Sequence, residues 1–201
     1  MPGPELDKLY TRILLESGAL LFGRFRLASG VESPIYIDLR RVLAKPRYLR
    51  AIVDGLSVLL EHLGYTAHPI VGVATGGIPW AAALAYHLGV PTGYVRPRAK
   101  DHGTGKIVEG VEPGEVVLLD DVATTGESLA AAAEALLNEG YTVRAAVVVV
   151  DREQGAASRL ANLGLQLHSL VTLREILDSA AAMGLLAVER VEEIKRQLGL
   201  A

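Results

Sequence analysis

The sequence predicts an α/β fold in which a central, mostly parallel sheet is flanked by helices and covered at one edge by a small N-terminal hood. From residue 69 onwards, short runs of branched apolar residues alternate with longer segments of helical spacing. This alternation is typical of parallel strands that helices cover on both faces. Apolar residues make up 50% of the 201 positions, which is enough to bury a full core. Residues 1–65 lack the alternation, so we expect them to form the hood over the ligand-binding edge of the sheet.

Two helices and a hairpin are predicted in the first part of the chain. Apolar residues at helical spacing predict a helix over residues 5–17. Residues 22–39 alternate weakly around Ser-Gly and Ser-Pro pairs, which predicts a hairpin or short strands. A second amphipathic helix is expected over residues 46–63, with Pro46 in its first turn.

Strands and helices then follow each other regularly. Apolar runs predict strands at residues 69–73, 92–95, 116–119, 143–150 and 165–170. Helices are expected at residues 78–87, 129–138 (followed by Gly140), 173–183 and 188–198. We therefore predict one domain over residues 1–201, with its core sheet in residues 66–170 and the remaining helices around it.

Composition and charge exclude several classes of function. No apolar run reaches the roughly 18 residues that a membrane span needs, and the first ten residues are too polar for a secretory signal. Cysteine is absent from the sequence, which excludes disulfides and thiolate chemistry and fits a cytoplasmic protein. The formal charge of −3 argues against general nucleic-acid affinity. We expect neither a membrane nor a nucleic acid as partner.

The most informative stretch is residues 116–128, which read VVLLDDVATTGES. Four branched apolar residues predict a buried strand, and Asp120 and Asp121 are expected to end it. A turn of small and hydroxyl residues then opens a helix, where free N–H groups and the helix dipole favour a phosphate. Carboxylates accept hydrogen bonds from vicinal sugar hydroxyls or bind a hydrated Mg²⁺. A sugar phosphate is the ligand that this arrangement suits.

Other phosphate-binding motifs fit this chain poorly. Residues 103–106 read GTGK but continue with Ile107, so they do not form a Walker loop. No G-x-G-x-x-G follows a predicted strand, which excludes a dinucleotide fingerprint. An ordinary strand–turn–helix is the alternative, but adjacent acids before a TTGES turn have no packing purpose.

Two further segments carry features of an anion-binding site. Residues 73–79 read VATGGIP, and Gly76 and Gly77 would let a pyrophosphate approach bare N–H groups. A tight strand-to-helix turn without a ligand is the alternative there. Residues 96–106 read RPRAKDHGTGK and have no apolar face to bury, so they form either a solvated loop or an active-site lid. Cations on such a lid would meet developing negative charge.

Arg152 follows the long predicted strand directly, in the segment DREQG. A guanidinium at the carboxyl end of a strand can hold a carboxylate through two parallel hydrogen bonds. An acidic ligand is therefore one interpretation, and a surface salt bridge with Glu153 is the other.

Together these segments resemble the type I phosphoribosyltransferases, and most closely the orotate phosphoribosyltransferases. The apolar strand, two acids and small-residue loop are similar to the family's motif for 5-phosphoribosyl 1-pyrophosphate (PRPP), and FRLASGVESPIYIDLR at residues 25–40 resembles the base-recognition hood. KDHG and DREQG are similar to the family's catalytic loop and orotate-contacting segment, and the transferase half of UMP synthase shares the pattern. The resemblance implies the type I phosphoribosyltransferase fold, Mg²⁺ as cofactor, and transfer of phosphoribose from PRPP to orotate in pyrimidine biosynthesis.

The resemblance also implies the roles of individual residues. PRPP is expected to contact Asp120, Asp121, Ala123, Thr124, Thr125, Gly126, Glu127, Ser128, Thr75, Gly76, Gly77, Arg96, Arg98, Lys100 and His102. Catalysis is expected from Lys100, His102, Arg96 and Asp121, and orotate binding from Tyr36, Ile37, Thr124 and Arg152. Mg²⁺ is expected to be held mainly through PRPP, with Asp120 and Asp121 acting through water. The loop at residues 96–106 would reach the neighbouring site of a homodimer.

Three positions depart from the family pattern. Ala28, Gly76 and Pro97 stand where many relatives carry lysine, and we hypothesise that Arg98 or Mg²⁺ supplies the missing charge. A phosphoribosyltransferase for another base, such as a purine, is one alternative function, and a PRPP-sensing regulator is another. Arg152 and the hood favour orotate over purines, because purines lack a carboxylate, and the KDHG segment favours an enzyme over a regulator.

Overall fold

A computed structural model describes residues 3–26, 32–97 and 107–200 of the chain. The helices are α1 (Pro4–Glu16), α2 (Arg40–Leu43), α3 (Pro46–Leu63), α4 (Gly77–Leu88), α5 (Glu127–Asn138), α6 (Ala156–Ala161), α7 (Leu173–Ala182) and α8 (Val188–Leu198). The strands are β1 (Leu20–Arg26), β2 (Glu32–Ile37), β3 (Ile70–Val73), β4 (Thr92–Val95), β5 (Val108–Glu109), β6 (Glu115–Ala123), β7 (Thr142–Asp151) and β8 (Leu167–Thr172).

The central sheet has six strands in the order β5-β4-β3-β6-β7-β8. Its neighbours pair in parallel except β5, which runs antiparallel to β4. The chain leaves β3 toward β4 on one side and β6 toward β7 on the other, so strand order reverses between β3 and β6. Open α/β sheets bind ligands at such a reversal, outside the carboxyl ends of the strands. The predicted mostly parallel sheet flanked by helices is confirmed.

Two apolar clusters cover the two faces of the sheet. Val117 and Leu119 of β6 belong to the cluster with α1, α3, α4, α7 and α8, whereas Val116 and Leu118 belong to the cluster with α5 and α6. Successive side chains of a strand point to opposite faces, so a strand buried on both sides must be apolar throughout. This burial explains the continuous apolar run of the sequence.

The predicted hairpin forms a separate two-stranded sheet. β1 and β2 pair antiparallel, with Leu20 opposite Ile37 and an irregularity between Phe22 and Phe25. Ser33 of β2 accepts a hydrogen bond from Arg152, which connects the hairpin to the end of β7. The connection places the hairpin at the edge of the sheet that the sequence analysis assigned to the hood.

Strand β6 differs from its prediction in a way that matters for the site. It continues past Leu119 through both acids to Ala123, because Asp120 pairs with Val148 and Ala123 with Asp151 in the ladder with β7. The expectation that the acids end the strand is therefore wrong. Three short elements were not predicted, namely α2, β5 and α6, because segments of two to six residues carry too few positions to show a period. Among the described residues, no helix is long and apolar enough to cross a membrane.

Candidate active site

The site begins where the turn after β3 packs against the end of β6. Gly72 is in register with Leu119, so the turn lies beside Asp120 and Asp121. A Cβ on Gly76 would lie 2.6 Å from the Asp121 carboxylate, and a Cβ on Gly77 would lie 2.4 Å from the Leu119 carbonyl oxygen. A side chain at residue 77 would collide with backbone, whereas one at residue 76 would require the Asp121 side chain to move. The peptide bond between Ala74 and Thr75 in this turn is cis.

The loop after β6 leaves its backbone N–H groups unused. Gly126 adopts the left-handed conformation (φ 73°), and α5 begins after it at Glu127, two residues earlier than predicted. Among the described residues, no acceptor binds the N–H groups of residues 124–129, and the first helical bond runs from Ala130 N–H to the Gly126 carbonyl. These N–H groups border a cavity of about 160 Å³. The cavity is lined by Asp120, Val122, Ala123, Thr124, Thr125, Gly126, Glu127, Ser128 and Leu129.

Helix α6 supports this loop through a hydrogen bond and a close backbone contact. Arg159 donates a hydrogen bond from Nε to the Thr125 carbonyl oxygen at 2.8 Å. Ala156 packs so close to Gly126 that a Cβ on the glycine would lie 2.8 Å from the alanine Cα. The loop is therefore held in place while its N–H groups have no acceptor in the described part of the chain, which favours anion binding at low entropic cost.

The two acids differ in environment. Asp120 is 7% exposed, and burial, together with the charge of Asp121, raises its pKa to about 8. Its Oδ1 accepts a hydrogen bond from Asp121 N–H at 2.9 Å, and Asp121 Oδ1 accepts one from Val122 N–H at 2.8 Å. Asp120 is therefore a neutral acid near pH 7 in the unliganded protein, able both to donate to and accept from a sugar hydroxyl.

A second cavity of about 540 Å³ adjoins the first. It shares the lining residues Val122 and Thr124 with the smaller cavity, and we call these two adjoining cavities the crevice. Its lining brings together residues of the hood, the β3 turn, β6 and β7: Ile37, Asp38, Arg40, Thr75, Gly76, Pro79, Asp121, Val122, Thr124 and Arg152.

Arg152 lies at this cavity without an acidic partner among the described residues. It is 4% exposed, its Nη2 donates to Ser33 Oγ at 3.2 Å, and its Nε has no hydrogen-bond partner there. Burial lowers its pKa. The alternative of a salt bridge with Glu153 is wrong, because Glu153 instead accepts hydrogen bonds from the backbone N–H and Nε of Arg174. A buried guanidinium with a free donor is suited to an anionic ligand.

The hood contributes a different set of residues from the one predicted. Ile37 lines the cavity, whereas Tyr36 does not and packs its ring against Phe25 at a centroid distance of 5.6 Å. Adjacent residues of a strand face opposite sides, which explains the difference. Asp38 and Arg40 also line the cavity and were missed. Their only signal in the sequence was their position directly after the strand that carries Ile37.

Of the basic loop at residues 96–106, the structure describes only Arg96 and Pro97. Arg96 does not line the crevice; its Nε donates to Glu109 at 3.0 Å and its Nη2 to the Tyr94 hydroxyl at 2.8 Å. Arg98, Lys100 and His102 lie outside the described residues, as does Ala28 of the hood.

A metal ion would have few protein ligands here. Within residues 3–26, 32–97 and 107–200, no group of three or more His, Cys, Asp or Glu side chains could hold one. Asp121, half-buried at the crevice, and Asp120 beside it fit a hydrated Mg²⁺ that takes most of its ligands from substrate and water.

Comparison with known proteins agrees with this geometry. The phosphoribosyl transferase domain model matches residues 39–162, which include both acids, the phosphate loop and Arg152. The orotate phosphoribosyltransferase of Pyrobaculum islandicum is 48% identical over 167 residues, which are 82% of this chain and 86% of that protein.

Solved structures show the same similarity. The crystal structure of orotate phosphoribosyltransferase from Aeropyrum pernix matches with a TM-score of 0.76 and 43% identity, over 86% of this chain and 99% of that one. The structure of Leishmania donovani UMP synthase matches with a TM-score of 0.85 and 32% identity, over 97% of this chain and 42% of that longer chain.

We predict that Asp120→Asn stabilises the unliganded protein at high pH. The pKa of Asp120 is raised from 3.8 to about 8 in the folded state, so between these values the folded protein binds more protons than the unfolded chain. Stability therefore falls as pH rises through this window, and a neutral amide removes the loss. Thermal unfolding at about pH 8 should give a Tm at least about 3 °C above the wild type.

The matched control is Glu134→Gln, which neutralises an exposed carboxylate on α5. This variant should keep the wild-type change in Tm between about pH 5 and about pH 8. If Tm changed by the same amount between about pH 5 and about pH 8 in Asp120→Asn and in the wild type, Asp120 would be ionised in the folded protein. That result would contradict the argument from its burial.

Proposed function

The chain belongs to the orotate phosphoribosyltransferases, and on that premise we propose how its residues carry out the reaction. The enzyme transfers the phosphoribosyl group of PRPP to orotate, which yields orotidine 5′-monophosphate and pyrophosphate in pyrimidine biosynthesis. The observation that carries our assignment of roles is the pair of adjoining cavities, with unused N–H groups at the smaller one and, at the larger one, a buried guanidinium without an acidic partner among the described residues. A cytoplasmic location is part of the proposal and rests on the cysteine-free sequence.

The phosphoribosyl group lies along the end of β6 in this proposal. The 5-phosphate takes the smaller cavity, where the N–H groups of residues 124–129 and the hydroxyls of Thr124, Thr125 and Ser128 surround it. Asp120 and Asp121 hydrogen-bond the ribose hydroxyls. Pyrophosphate lies against Thr75 and Gly76, which line the larger cavity.

Orotate lies at the hood end of the larger cavity. Its carboxylate accepts hydrogen bonds from Arg152, whose free Nε is buried there, and Ile37 and Thr124 bound the ring. We retain Tyr36 only as a hood residue that can act through its backbone, because its ring packs on Phe25.

Catalysis is mainly a matter of orientation and charge. The loop after β6 binds the 5-phosphate of PRPP, and Arg152 binds the carboxylate of orotate. With both substrates held in this way, the ribose C1 lies against the nucleophilic nitrogen of orotate. The transition state has oxocarbenium character at C1, and the leaving pyrophosphate gains negative charge. Arg96, Lys100 and His102 of the loop are proposed to stabilise that charge, with Arg98 nearby. When bound, Mg²⁺ supplies further positive charge to the pyrophosphate, and Asp120 and Asp121 would hold it through water.

An absorbance assay of orotate consumption tests the activity directly. The wild-type protein should consume orotate and release pyrophosphate only when PRPP is present, and faster with Mg²⁺. A panel of bases under the same conditions should show no turnover of adenine or xanthine, because neither offers a carboxylate to Arg152. Turnover of a purine in place of orotate would overturn the assignment.

We predict that Arg152→Ala raises the KM for orotate by about 100-fold, because it removes charge-assisted hydrogen bonds to a carboxylate. The KM for PRPP should change by less than about threefold, since the phosphate loop is untouched. Steady-state kinetics with each substrate varied in turn measures both constants.

Arg174→Ala is the control for Arg152→Ala, because Arg174 binds the same segment through Glu153 and does not line the crevice. Both KM values should stay within about twofold of the wild type in this control. A KM for orotate in Arg152→Ala that stays within about threefold of the wild type would remove Arg152 from the orotate site.

We propose a homodimer whose interface includes the face shared by α3 and α4. Tyr86 is 90% exposed there and borders a cavity of about 460 Å³, with Leu49, Val53 and Ala83 among its lining. The rim of this face carries both bases and acids: Arg50, His87 and Asp54. An interface between two identical surfaces needs a patch that complements itself, and an apolar centre with both signs of charge at its rim meets that need.

We predict that Tyr86→Glu weakens this dimer at least about 30-fold, because an ionised carboxylate replaces an aromatic side chain at the centre of the patch. Sedimentation equilibrium should detect the monomer. Activity should fall with dimer content, because the loop at residues 96–106 is proposed to act in the neighbouring site.

Val188→Glu serves as the control for Tyr86→Glu, since Val188 is 61% exposed at the start of α8, away from this face. This variant should remain dimeric. A fully active Tyr86→Glu monomer would contradict the proposal that the loop reaches into the other subunit.

A further inference from the structure

The turn after β3 offers no cation to a pyrophosphate. Gly76 stands where many relatives carry lysine, and a side chain there would collide with the Asp121 carboxylate, 2.6 Å from the position of its Cβ. A pyrophosphate at this turn would thus face backbone N–H groups and a carboxylate. Such a dianionic or more highly charged group needs positive charge close by.

Two guanidinium groups line the larger cavity, and only one of them is already assigned. Arg152 lies at the end of β7 and Arg40 at the start of α2. Gly76 follows β3, which is two strands from β7 in the sheet. Neighbouring strands are about 4.8 Å apart, so the backbones at the end of β7 and at the turn after β3 are about 10 Å from each other.

Arg40 is held so that part of its guanidinium stays available. Its Nε donates to Asp38 Oδ1 at 2.6 Å, and its backbone N–H reaches the same oxygen at 3.3 Å. No described residue accepts a hydrogen bond from its two terminal amino groups, and the side chain is 70% exposed. The ion pair with Asp38 fixes one edge of the guanidinium and leaves the other edge free for a ligand.

Arg40 lines the same cavity as Asp121 and the Gly76 turn. Its hydrogen bond to Asp38 raises the pKa of Arg40, and the negative charge of Asp121 contributes in the same direction. Asp121 is also the carboxylate that abuts Gly76. Arg40 and the turn that lacks a cation therefore border one binding space.

We infer that Arg40 binds the pyrophosphate group of PRPP, and the released pyrophosphate, through its free terminal amino groups. The inference rests on the proposed placement of PRPP in the crevice. Arg40 of the hood would then supply the positive charge that the turn after β3 lacks. The free edge of a guanidinium presents two parallel donors, which match two oxygens of a phosphate.

The test compares Arg40→Ala, Arg40→Lys and Arg41→Ala. Arg41 is the matched control, because it is the next residue, approaches the same Asp38 at 3.9 Å and does not line the cavity. Pyrophosphate and ribose 5-phosphate binding are measured by calorimetry with Mg²⁺ present, and KM values for PRPP and orotate by kinetics. The two ligands separate the pyrophosphate end of the site from the 5-phosphate end.

Arg40→Ala should weaken pyrophosphate binding by about 10-fold or more, the loss expected for a hydrogen bond between charged groups. It should also raise the KM for PRPP, while ribose 5-phosphate affinity and the KM for orotate stay within about twofold of the wild type. Arg40→Lys should recover part of the pyrophosphate affinity, because it keeps the charge but loses the planar donors. Arg41→Ala should match the wild type for all four quantities.

Three results would overturn the inference. Equal pyrophosphate affinity in Arg40→Ala and Arg41→Ala would show that Arg40 plays no part there. If Arg40→Ala raised only the KM for orotate, Arg40 would contribute to binding of the base. If Arg40→Ala weakened ribose 5-phosphate and pyrophosphate binding equally, Arg40 would act only through its long-range charge. If the wild type itself bound ribose 5-phosphate but not pyrophosphate, the placement of PRPP would fail as well.

Discussion

The site depends on the close packing of the β3–α4 turn against the end of β6. Gly76 and Gly77 let the turn approach Asp121 and the Leu119 carbonyl at distances where no side chain fits. This contact sets the spacing between two ligand-binding loops that belong to neighbouring strands. It also fixes the position of Asp121, which then borders the crevice on one side and the turn on the other. A chain with lysine at residue 76 would need a different conformation of the Asp121 side chain.

An acid, Asp120, and a base, Arg152, are both buried at the site and do not pair with each other. Asp120 avoids the cost of a buried charge by holding a proton, as its raised pKa indicates. Burial lowers the pKa of Arg152, which means that desolvation of its guanidinium costs free energy until an anion binds. The burial of these two groups therefore lowers the stability of the unliganded protein. A ligand with a carboxylate at one end and sugar hydroxyls near the other relieves both groups.

The sequence predicted most of the regular structure, because buried strands and amphipathic helices show their periods locally. Helices α3 and α8 and strand β4 have the predicted bounds, and most others differ by one or two residues. Strand β6 was predicted too short, since aspartate is rare in strands and only the ladder with β7 shows that both acids lie within it. The division of the chain into hood and core within one domain stays a prediction, as do the roles of residues in the loop at 98–106.

The sequence by itself determined the order of chemistry along the chain: an apolar strand, two acids, a small-residue loop and a basic residue after the next strand. These are local patterns, and local sterics and burial decide them. Only the tertiary structure decided which side chains meet across the crevice. It turned Ile37 rather than Tyr36 toward the site, left Arg152 without a carboxylate partner, and brought Asp38 and Arg40 of the hood to the cavity that Gly76 borders. Which residues lie close together depends on the order of the strands and on the face that each residue occupies. Residue spacing within a single segment of the sequence specifies neither of these.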